Sequence, residues 1–261
     1  MPAARLPTDE EERLNELRSL GVLDSAAEPA FDDLTRLAAQ ICQTPIALVS
    51  LIDADRQWFK SRVGLDATET PRDVAFCAHA ILDPGHELVV PDALLDARFA
   101  DNPFVSSPAH VRFYAGMPLT TGSGRAVGTL CVKDHVPRNL TPDQLHALRA
   151  LGRQVVTQLE LRRNLAELHH QMAIRRTADD ALGASEQRFR TLAALAPVGI
   201  FETDADGRCL YVNERWCELT GLSREGAAGT GWTRALHPDD GARVYNAWSA
   251  FAASGGGEFV L

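Results

Sequence analysis

Residues 46–52, IALVSLI, form an almost continuously apolar run of strand length. A run without polar alternation is typical of a β-strand that is covered on both faces. A turn at Asp53–Asp55 and a second strand at 57–63 follow, ELVVPDA supplies a short strand, and RFYAGMPLTTGSGRAVGTLCVKD reads as a hairpin joined through Gly122–Gly124. Helical patterns lie before, between and after these strands, so the sequence predicts an α+β sandwich.

The longest helical pattern begins at Thr141 and continues for some thirty residues or more. We expect Thr141 to cap this helix, with Pro142 at its first position. Two stripes recur at spacings of 3 and 4 residues: Leu148, Gly152, Val155, Leu159 and Arg162, and, in a shifted frame, Leu161, Leu165, Leu168, Met172, Arg175, Asp179 and Leu182. Offset stripes predict a helix that first packs on its own domain and then continues as a coiled coil. A single amphipathic helix folded back on its own domain is the alternative.

Residues 186–261 read as a second, smaller domain. VGIFETDADGRCLYVN has a hairpin pattern with its turn at Asp204–Gly207, and ERWCELTG reads as a short helix that ends at Gly221. GEFVL, at the end of the sequence, looks like the first residues of a strand. Because this span is shorter than the roughly 100–150 residues of a common domain, we expect a C-terminally truncated domain.

The composition limits the classes of binding partner and the cellular compartment that we expect for this protein. The net charge of −9 argues against nonspecific nucleic-acid binding, which needs a basic face. No apolar run approaches the roughly 18 residues of a membrane span, and the N-terminal stretch lacks the apolar core of a signal peptide. We therefore expect a cytoplasmic protein with neither nucleic acid nor membrane as a partner. The five cysteines, odd in number and without C-x-x-C spacing, predict reduced thiols instead of disulfides or a zinc site.

Residues 5–165 contain three stretches that resemble a GAF domain of bacterial sensor proteins: FDDLTRLAAQICQTPIALVSLIDADRQWFKSRVGLDATETPRDVAFCAHAIL, VVPDALLDARFADNPFV and RFYAGMPLTTGSGRAVGTLCVKD. A later stretch, SEQRFRTLAALAPVGIFETDADGRCLYVNERWCELTGLSREGAAGTGWTRALHPDD, resembles a PAS domain. Its matching residues are Pro197, Gly199, Phe201, Asp204, Gly207, Asn213, Thr220–Gly221 and His237–Asp240. The resemblance implies an α+β chain with a GAF-type antiparallel sheet and flanking helices over 5–165. A signalling helix or coiled coil would connect it, over 141–190, to a partial PAS-type α/β domain over 186–261.

GAF–PAS arrays are similar to the input halves of sensor histidine kinases, diguanylate cyclases and related signalling proteins. The resemblance implies a sensory input region, in the first instance that of a histidine kinase in a two-component system. It would bind a small ligand or sense redox state, and relay the change through the helix to a downstream effector domain. We expect a homodimer through 141–190. No phosphoacceptor-histidine helix, kinase glycine box or G-G-D-E-F sequence is visible, so we predict no catalytic residue.

RDVAFCAHAIL, residues 72–82, places Cys77 and His79 two positions apart. The TPRD sequence at its start has an N-terminal capping pattern, so we expect a short helix, in which residues two apart point about 200° away from each other. The pair then cannot readily share a metal ion or act as nucleophile and base. We expect Cys77 to be a small buried thiol against the sheet, with a reactive role as the alternative. His79 is a pocket or capping candidate.

Each fold can form a pocket between its sheet and its helices. The candidate lining residues are Trp58, Phe76, Cys77, His79, Tyr114, Met117 and Cys131 in the first domain, and Phe201, Tyr211, Asn213 and Trp232 in the second. For the aromatic residues, ordinary core packing is the alternative. No metal ligand is predicted, and the sequence does not identify a cofactor.

Two alternatives to sensing stay open. One is a thiol-dependent methionine sulfoxide reductase on the GAF scaffold, for which Cys42, Cys77 and Cys131 would be the residues, although nothing in the sequence marks them as low-pKa thiols. The other is a module that serves only dimerisation. The spacing of CAHA disfavours a bilin attachment site, and LSREGAAGTGW lacks the cysteine that a flavin adduct needs.

Overall fold

The computed structural model of the chain describes residues 3–106 and 110–253 and contains two compact units. The first unit ends at His170 and the second begins at Gln171. One helix, Pro142–Leu195, is continuous through this boundary. The first unit combines an antiparallel sheet with flanking helices, which confirms the predicted fold class.

The first unit is built on one six-stranded sheet. Its elements in chain order are α1 (Glu10–Ser19), α2 (Pro29–Cys42), β1 (Ile46–Ile52), β2 (Arg56–Val63), β3 (Glu69–Pro71), a 3-10 helix (Arg72–Val74), α3 (Phe76–Ala80), β4 (Leu88–Val90), α4 (Pro103–Ser106), β5 (Phe113–Thr120), β6 (Ala126–Asp134) and the first part of α5 (Pro142–Leu195). All neighbouring strands pair antiparallel in the order β3-β2-β1-β6-β5-β4. β1 is thus a central strand, and every one of its residues is buried, as its apolar run predicts.

The sheet has a hydrophobic core on each face. The first face is covered by α1, α2 and the beginning of α5, and its core includes Leu17, Phe31, Leu51, Trp58, Phe113, Leu148, Val155 and Leu159. The second face is covered by α3 and α4, and its core includes Leu48, Phe59, Phe76, Cys77, Phe99, Val105, Tyr114 and Cys131. Because side chains alternate along a strand, neighbours such as Leu130 and Cys131 lie in different cores.

Helix α5 begins with the cap that its sequence predicts. The Oγ1 of Thr141 accepts a hydrogen bond from the backbone N–H of Gln144 at 3.2 Å. In return, the Oε1 of Gln144 accepts one from the backbone N–H of Thr141 at 3.0 Å. This reciprocal pair is a capping box, and it satisfies two backbone donors at the start of the helix.

Replacing Thr141 with alanine is expected to lower the free energy of unfolding of the first unit by about 1 kcal/mol, because the N–H of Gln144 loses its acceptor. Urea denaturation followed by circular dichroism measures the change. Thr157→Ala is the matched control, since the exposed Thr157 only donates to the carbonyl of Arg153 in the same helix. Equal losses in the two variants would show that the cap does not stabilise the unit.

The two predicted stripes of α5 have different surroundings. The first stripe packs in the core of the first face through Leu148, Val155 and Leu159, as predicted. The apolar members of the second stripe are exposed by between 47% and 69%: Leu161, Leu165, Leu168, Met172 and Leu182. Neither α5 nor any other helix in the described ranges combines the length and apolar character that a membrane crossing requires.

The second unit has a small sheet and short helices. After the end of α5, its elements are β7 (Phe201–Thr203), β8 (Cys209–Val212), α6 (Glu214–Thr220), α7 (Arg224–Ala227), a 3-10 helix (Gly231–Ala235) and α8 (Gly241–Ala253). β7 and β8 form the predicted hairpin, and α6 ends at Gly221 in the left-handed conformation. The hydrophobic core of this unit is centred on Trp232. The strand expected in GEFVL lies outside the described residues.

Candidate functional site

A cavity of about 180 Å³ lies against the second face of the six-stranded sheet. Its apolar walls come from β1, β2 and the residues after it, the segment before α3, α4 and the segment before β5: Ile46, Phe59, Leu65, Val74, Phe104 and Val111. Its polar lining residues are Gln57, Thr70, Lys133 and the exposed His135. A mostly apolar cavity with a few fixed polar groups is the usual form of a small-molecule site.

Two of the polar groups in this lining have no hydrogen-bond partner in the part of the chain that the structure describes, and a third, Lys133, has no carboxylate partner there. Gln57 is 1% exposed, and its Oε1 makes no hydrogen bond. The buried Oγ1 of Thr70 makes none either. Lys133 is 9% exposed, and its Nζ is 5.8 Å from the centre of the Phe76 ring with no carboxylate paired to it. Because a buried polar group without a partner costs about 1–3 kcal/mol, the Gln57 and Thr70 oxygens mark positions that a ligand or water can fill.

A pair of thiols lies deeper in the same core. The Sγ atoms of Cys77 on α3 and Cys131 on β6 are 3.7 Å apart, and neither residue is exposed. The hydroxyl of Tyr114 on β5 donates a hydrogen bond to the Sγ of Cys77 at 3.4 Å. This geometry depends on Gly116, because a Cβ at that position would lie 2.1 Å from the Tyr114 oxygen. The described cysteines are all free thiols.

The surroundings of the two thiols move their pKa values apart. Burial raises the pKa of Cys77, but its hydrogen bond with Cys131, the positive charge of Lys133 and the Tyr114 hydroxyl together bring that pKa below its usual range. Burial and the neighbouring Cys77 raise the pKa of Cys131 well above its usual range. The sequence gives no sign of this difference, because the interacting groups come from three separate elements.

The structure distributes the seven predicted pocket residues of the first unit over both faces of the sheet. Four of them lie together in the core of the second face: Phe76, Cys77, Tyr114 and Cys131. The Phe76 ring stacks on Phe99 and Tyr114, with ring centres 4.2 and 5.2 Å away. Trp58 and Met117 lie on the first face instead. Side chains alternate between the two faces along a strand, and each of these residues is at a position that points to the first face. None of the seven lines the 180 Å³ cavity.

His79 packs edge-on against the Phe99 ring, with the ring centres 5.0 Å apart, and its buried Nε2 makes no hydrogen bond within the described residues. The helix that was expected over 72–82 is interrupted at Ala75, which is extended. At the break, the carbonyl of Val74 accepts a hydrogen bond from Asn102 Nδ2 at 2.9 Å, and the N–H of Ala78 donates to the carbonyl of Ala75 instead of that of Val74. Cys77 and His79 nevertheless diverge, as the helical spacing predicts.

Sequence reasoning missed the polar groups that line the cavity. A signal for Lys133 exists in GTLCVKD, where a lysine stands two residues after Cys131 and so on the same face of a buried strand. Gln57 carries a similar signal, since it alternates with Phe59 along β2. No such signal marks Thr70, which reaches the cavity only because short β3 pairs with β2.

A second cavity, of about 430 Å³, lies in the second unit. Half of its lining residues are aromatic: Phe201, Trp216, Trp232 and Trp248. Phe201 and Trp232 were predicted as lining residues, whereas Tyr211 packs against Phe189 with ring centres 5.8 Å apart. Throughout residues 3–106 and 110–253, no three His, Cys, Asp or Glu side chains converge into a metal-binding group.

Asn213, another predicted pocket residue, is a buried helix cap. Its Oδ1 accepts hydrogen bonds from the backbone N–H groups of Ile200 and Trp216, each at 2.9 Å. Its Nδ2 donates to the carbonyls of Ala193 at 2.8 Å and Val198 at 3.0 Å. One side chain therefore joins the end of α5 to the beginning of α6 and leaves no polar atom for a ligand.

Both units match known domain families. Residues 26–159 match the GAF domain family, and residues 187–253 match a PAS domain family. A stretch of 132 residues is 47% identical to a cyclic di-GMP phosphodiesterase of Pseudomonas aeruginosa, covering 51% of this chain and 22% of that protein. A stretch of 66 residues is 48% identical to an uncharacterized protein of Sinorhizobium fredii, covering 25% of this chain and 8% of that protein. The matched part of the chain thus spans less than a quarter of either relative.

Two solved GAF domains match part of this chain. One is from the phosphoenolpyruvate-protein phosphotransferase of Acinetobacter, with a TM-score of 0.44 and 14% identity over 60% of this chain and 98% of that one. The other is the blue-light absorbing form of the PixJ GAF domain of Thermosynechococcus elongatus. Its TM-score is 0.44, with 17% identity over 61% of this chain and 94% of that one.

Proposed function

This chain belongs to the GAF domain family and carries a PAS domain after its GAF domain, and from that premise we propose that it is the sensory input region of a bacterial signal-transduction protein. In this proposal the cavity of the first unit binds a small ligand, and helix α5 relays the occupied state. The observation that carries the proposal is a ligand-sized cavity whose buried polar groups have no partner. Its location would be cytoplasmic, with neither nucleic acid nor membrane as a partner.

The packing of α5 supports a relay. Val155 and Leu159 are fully buried in the core of the first face, so a shift of the sheet must move the helix or break these contacts. At its other end the carbonyl of Ala193 is held by Asn213. A ligand can shift the helix between two arrangements only if it binds one of them more tightly, so the relay requires a cavity whose shape differs between them.

The second stripe of α5 supports a homodimer. Its exposed apolar residues recur at the 3.5-residue spacing of a two-stranded coiled coil, whose seam would bury them against the same stripe of a second copy. The charged residues Arg175 and Asp179 interrupt this stripe and form an ion pair at 3.8 Å within the helix. We therefore infer a coil that is weak near Arg175 and stronger around Leu165, Leu168 and Met172.

The chain is expected to have twice its 28.4 kDa mass in solution, as measured by light scattering at micromolar concentration. Lysines in place of both Leu168 and Met172 should give monomers, because the seam would then bury two charges in each helix. Thr177→Lys is the control, since it places a charge about 200° away from Arg175 on the helix. A monomeric wild-type chain would contradict the dimer.

We also propose which kind of effector domain this region would control. Resemblance points to a histidine kinase in a two-component system. The relative from Pseudomonas aeruginosa is a cyclic di-GMP phosphodiesterase, so turnover of a nucleotide messenger is the second choice. Both choices place catalysis in a further domain and leave this chain as the sensor.

Redox sensing is a second candidate function, favoured by the 3.7 Å distance between the Sγ atoms of Cys77 and Cys131. In this reaction the Cys77 thiolate attacks hydrogen peroxide, its O–O bond breaks, and hydroxide leaves as a sulfenic acid forms. The Cys131 thiol then attacks that sulfur, and the disulfide forms as water leaves. Two electrons pass from the thiols to the peroxide. The reaction needs a transient opening of the core, because both thiols are buried.

Peroxide treatment is expected to lower the mass of the chain by about 2 Da, the two hydrogens lost in a disulfide. Cys77→Ser and Cys131→Ser should each abolish this loss, whereas Cys42→Ser should retain it because Cys42 lies in the core of the other face. An unchanged mass would rule out the thiol switch. Steady turnover of free methionine sulfoxide by the same protein would favour the reductase instead.

A further inference from the structure

We propose that the cavity of the first unit takes a small organic acid that carries a hydrogen-bonding group at the end away from its carboxylate. This inference rests on the proposed function, since it names the ligand class of the same cavity. It has three supports: the charge of the lining, the positions of its polar groups along the sheet, and the volume.

The charge of the lining selects an anion. Lys133 is buried and has no ion-pair partner in the described ranges, and no aspartate or glutamate lines the cavity. The acidic neighbours of Lys133 are the Cys77 and Cys131 thiols and not a carboxylate. A ligand carboxylate would therefore add a full counter-charge and accept the hydrogen bonds of the ammonium. A neutral ligand would add no such charge.

The strand register separates the cationic group from the neutral polar groups. Lys133 on β6 lies opposite Ile46, at the beginning of β1. Gln57 on β2 lies opposite Ile52, at the end of β1, and pairs with Thr70 on β3. The cavity therefore has a cationic end at Lys133 and a hydrogen-bonding end at Gln57 and Thr70.

The unpartnered atoms at the second end indicate what they would bind. The Oε1 of Gln57 only accepts hydrogen bonds, and the Oγ1 of Thr70 can accept or donate. A ligand hydroxyl suits both, because it can donate to the amide oxygen while it exchanges a hydrogen bond with the threonine. The walls between the two ends, which include Phe59 and Phe104, are apolar and suit a hydrocarbon body.

The volume limits the size of that body. A cavity of about 150 Å³ holds benzene, so 180 Å³ suits a ring or short chain with one small group at each end. Mononucleotides and dinucleotides are too large. An acid such as 4-hydroxybenzoate, or the flexible 6-hydroxyhexanoate, has the required arrangement of carboxylate, apolar middle and hydroxyl.

Calorimetric titration of the full chain with matched compounds tests the ligand class. The aromatic set is 4-hydroxybenzoate, benzoate without the hydroxyl, and 4-hydroxybenzamide and phenol without the charge. The aliphatic set is 6-hydroxyhexanoate, hexanoate and 1,6-hexanediol. In at least one set the hydroxy acid is expected to bind about tenfold or more tightly than its neutral analogues, because a charged hydrogen bond is lost in those analogues.

Two variants locate the contacts. Lys133→Met keeps an unbranched stem and should weaken the acids about 10- to 100-fold without affecting the neutral compounds. Gln57→Leu should reduce a hydroxy acid to the affinity of its parent acid. Arg62→Met is the control, because it removes one positive charge from an exposed position of β2 outside the cavity. A thermal melt of each free variant shows that it is folded.

The outcomes separate this inference from the proposed function. Equal binding of acids and neutral analogues, or acid binding that survives Lys133→Met, would overturn the ligand class and leave the cavity as a ligand site. Binding by no compound of either set would overturn the ligand class and the cavity's role as a sensor together. The dimer would stand in both cases, because its mass is measured without ligand.

Discussion

Replacing Glu10 with glutamine is expected to lower the free energy of unfolding of the first unit by about 3–5 kcal/mol. Glu10 Oε2 accepts from Arg13 Nε at 2.7 Å, and its Oε1 accepts from Arg72 Nη1 at 2.5 Å. The Arg13 and Arg72 side chains are only 2% and 7% exposed. Loss of the carboxylate would leave two buried guanidinium groups without their counter-charge.

The same carboxylate gives the first unit an acid-sensitive stability. Burial raises the pKa of Glu10, but the hydrogen bonds and charges of Arg13 and Arg72 lower it further, to about 2 from an ordinary 4.5. Since the folded pKa is the lower one, the stabilisation is complete above pH 4.5 and is lost as the pH falls from 4.5 towards 2. A shift of this size corresponds to about 3 kcal/mol.

Urea denaturation at pH 6 and pH 3 measures both effects of Glu10. The difference in stability between the wild type and Glu10→Gln should shrink as the pH falls. Glu11→Gln, an exposed neighbour in the same helical turn, is the control and should change stability by less than about 0.5 kcal/mol. A difference that stays the same at both pH values would show that Glu10 is not held ionised by its arginine partners.

Asn213→Ala is expected to destabilise the second unit by about 3 kcal/mol. Asn213 is fully buried, and the substitution removes four hydrogen bonds to the backbone, one of them to the buried Ala193. Asn213→Asp should be no better than alanine, because its buried carboxylate would face the carbonyl oxygens of Ala193 and Val198 in place of the Nδ2 donor. Tryptophan fluorescence suits the measurement, since three of the four tryptophans of the chain lie in this unit: Trp216, Trp232 and Trp248.

Ser223→Ala is the matched control for Asn213. Ser223 caps the four-residue helix α7 through one hydrogen bond, from the N–H of Gly226 at 3.0 Å. Its replacement should cost about 1 kcal/mol. If Asn213→Ala cost no more than Ser223→Ala, then the side chain of Asn213 would not join α5 to α6 as its contacts indicate.

Local patterns predicted much of the fold. Three features that a few consecutive residues encode are confirmed: the apolar run of β1, the hairpin through Gly122–Gly124 and the capping box at Thr141. The GAF and PAS resemblances are confirmed by the family matches. These features depend on neighbours in the sequence or on a single alternation of polar and apolar residues, which a sequence displays directly.

The candidate site could not be predicted in the same way, because its groups meet only through the pairing of distant strands. Cys77 and Cys131 are 54 positions apart in the sequence, and only the position of α3 against β6 brings them to 3.7 Å. Trp58 looked like a pocket residue by its chemistry, but side chains alternate along β2, so Trp58 lies on the other face of the sheet from Gln57. Asn213 looked like a polar pocket group, but its Oδ1 caps α6 through the N–H of Trp216, and the loop before β7 takes up its remaining hydrogen-bonding capacity.

The central claim is that occupation of the first unit's cavity changes helix α5 beyond the core that holds its beginning. Hydrogen–deuterium exchange of the full chain, with and without each acid of the two compound sets, tests this claim most directly. We predict that an acid that slows exchange around Gln57 and Lys133 also changes exchange over residues 160–190, and that Lys133→Met abolishes both changes. Exchange that changes at the cavity while residues 160–190 stay the same, or that changes nowhere, would contradict the claim.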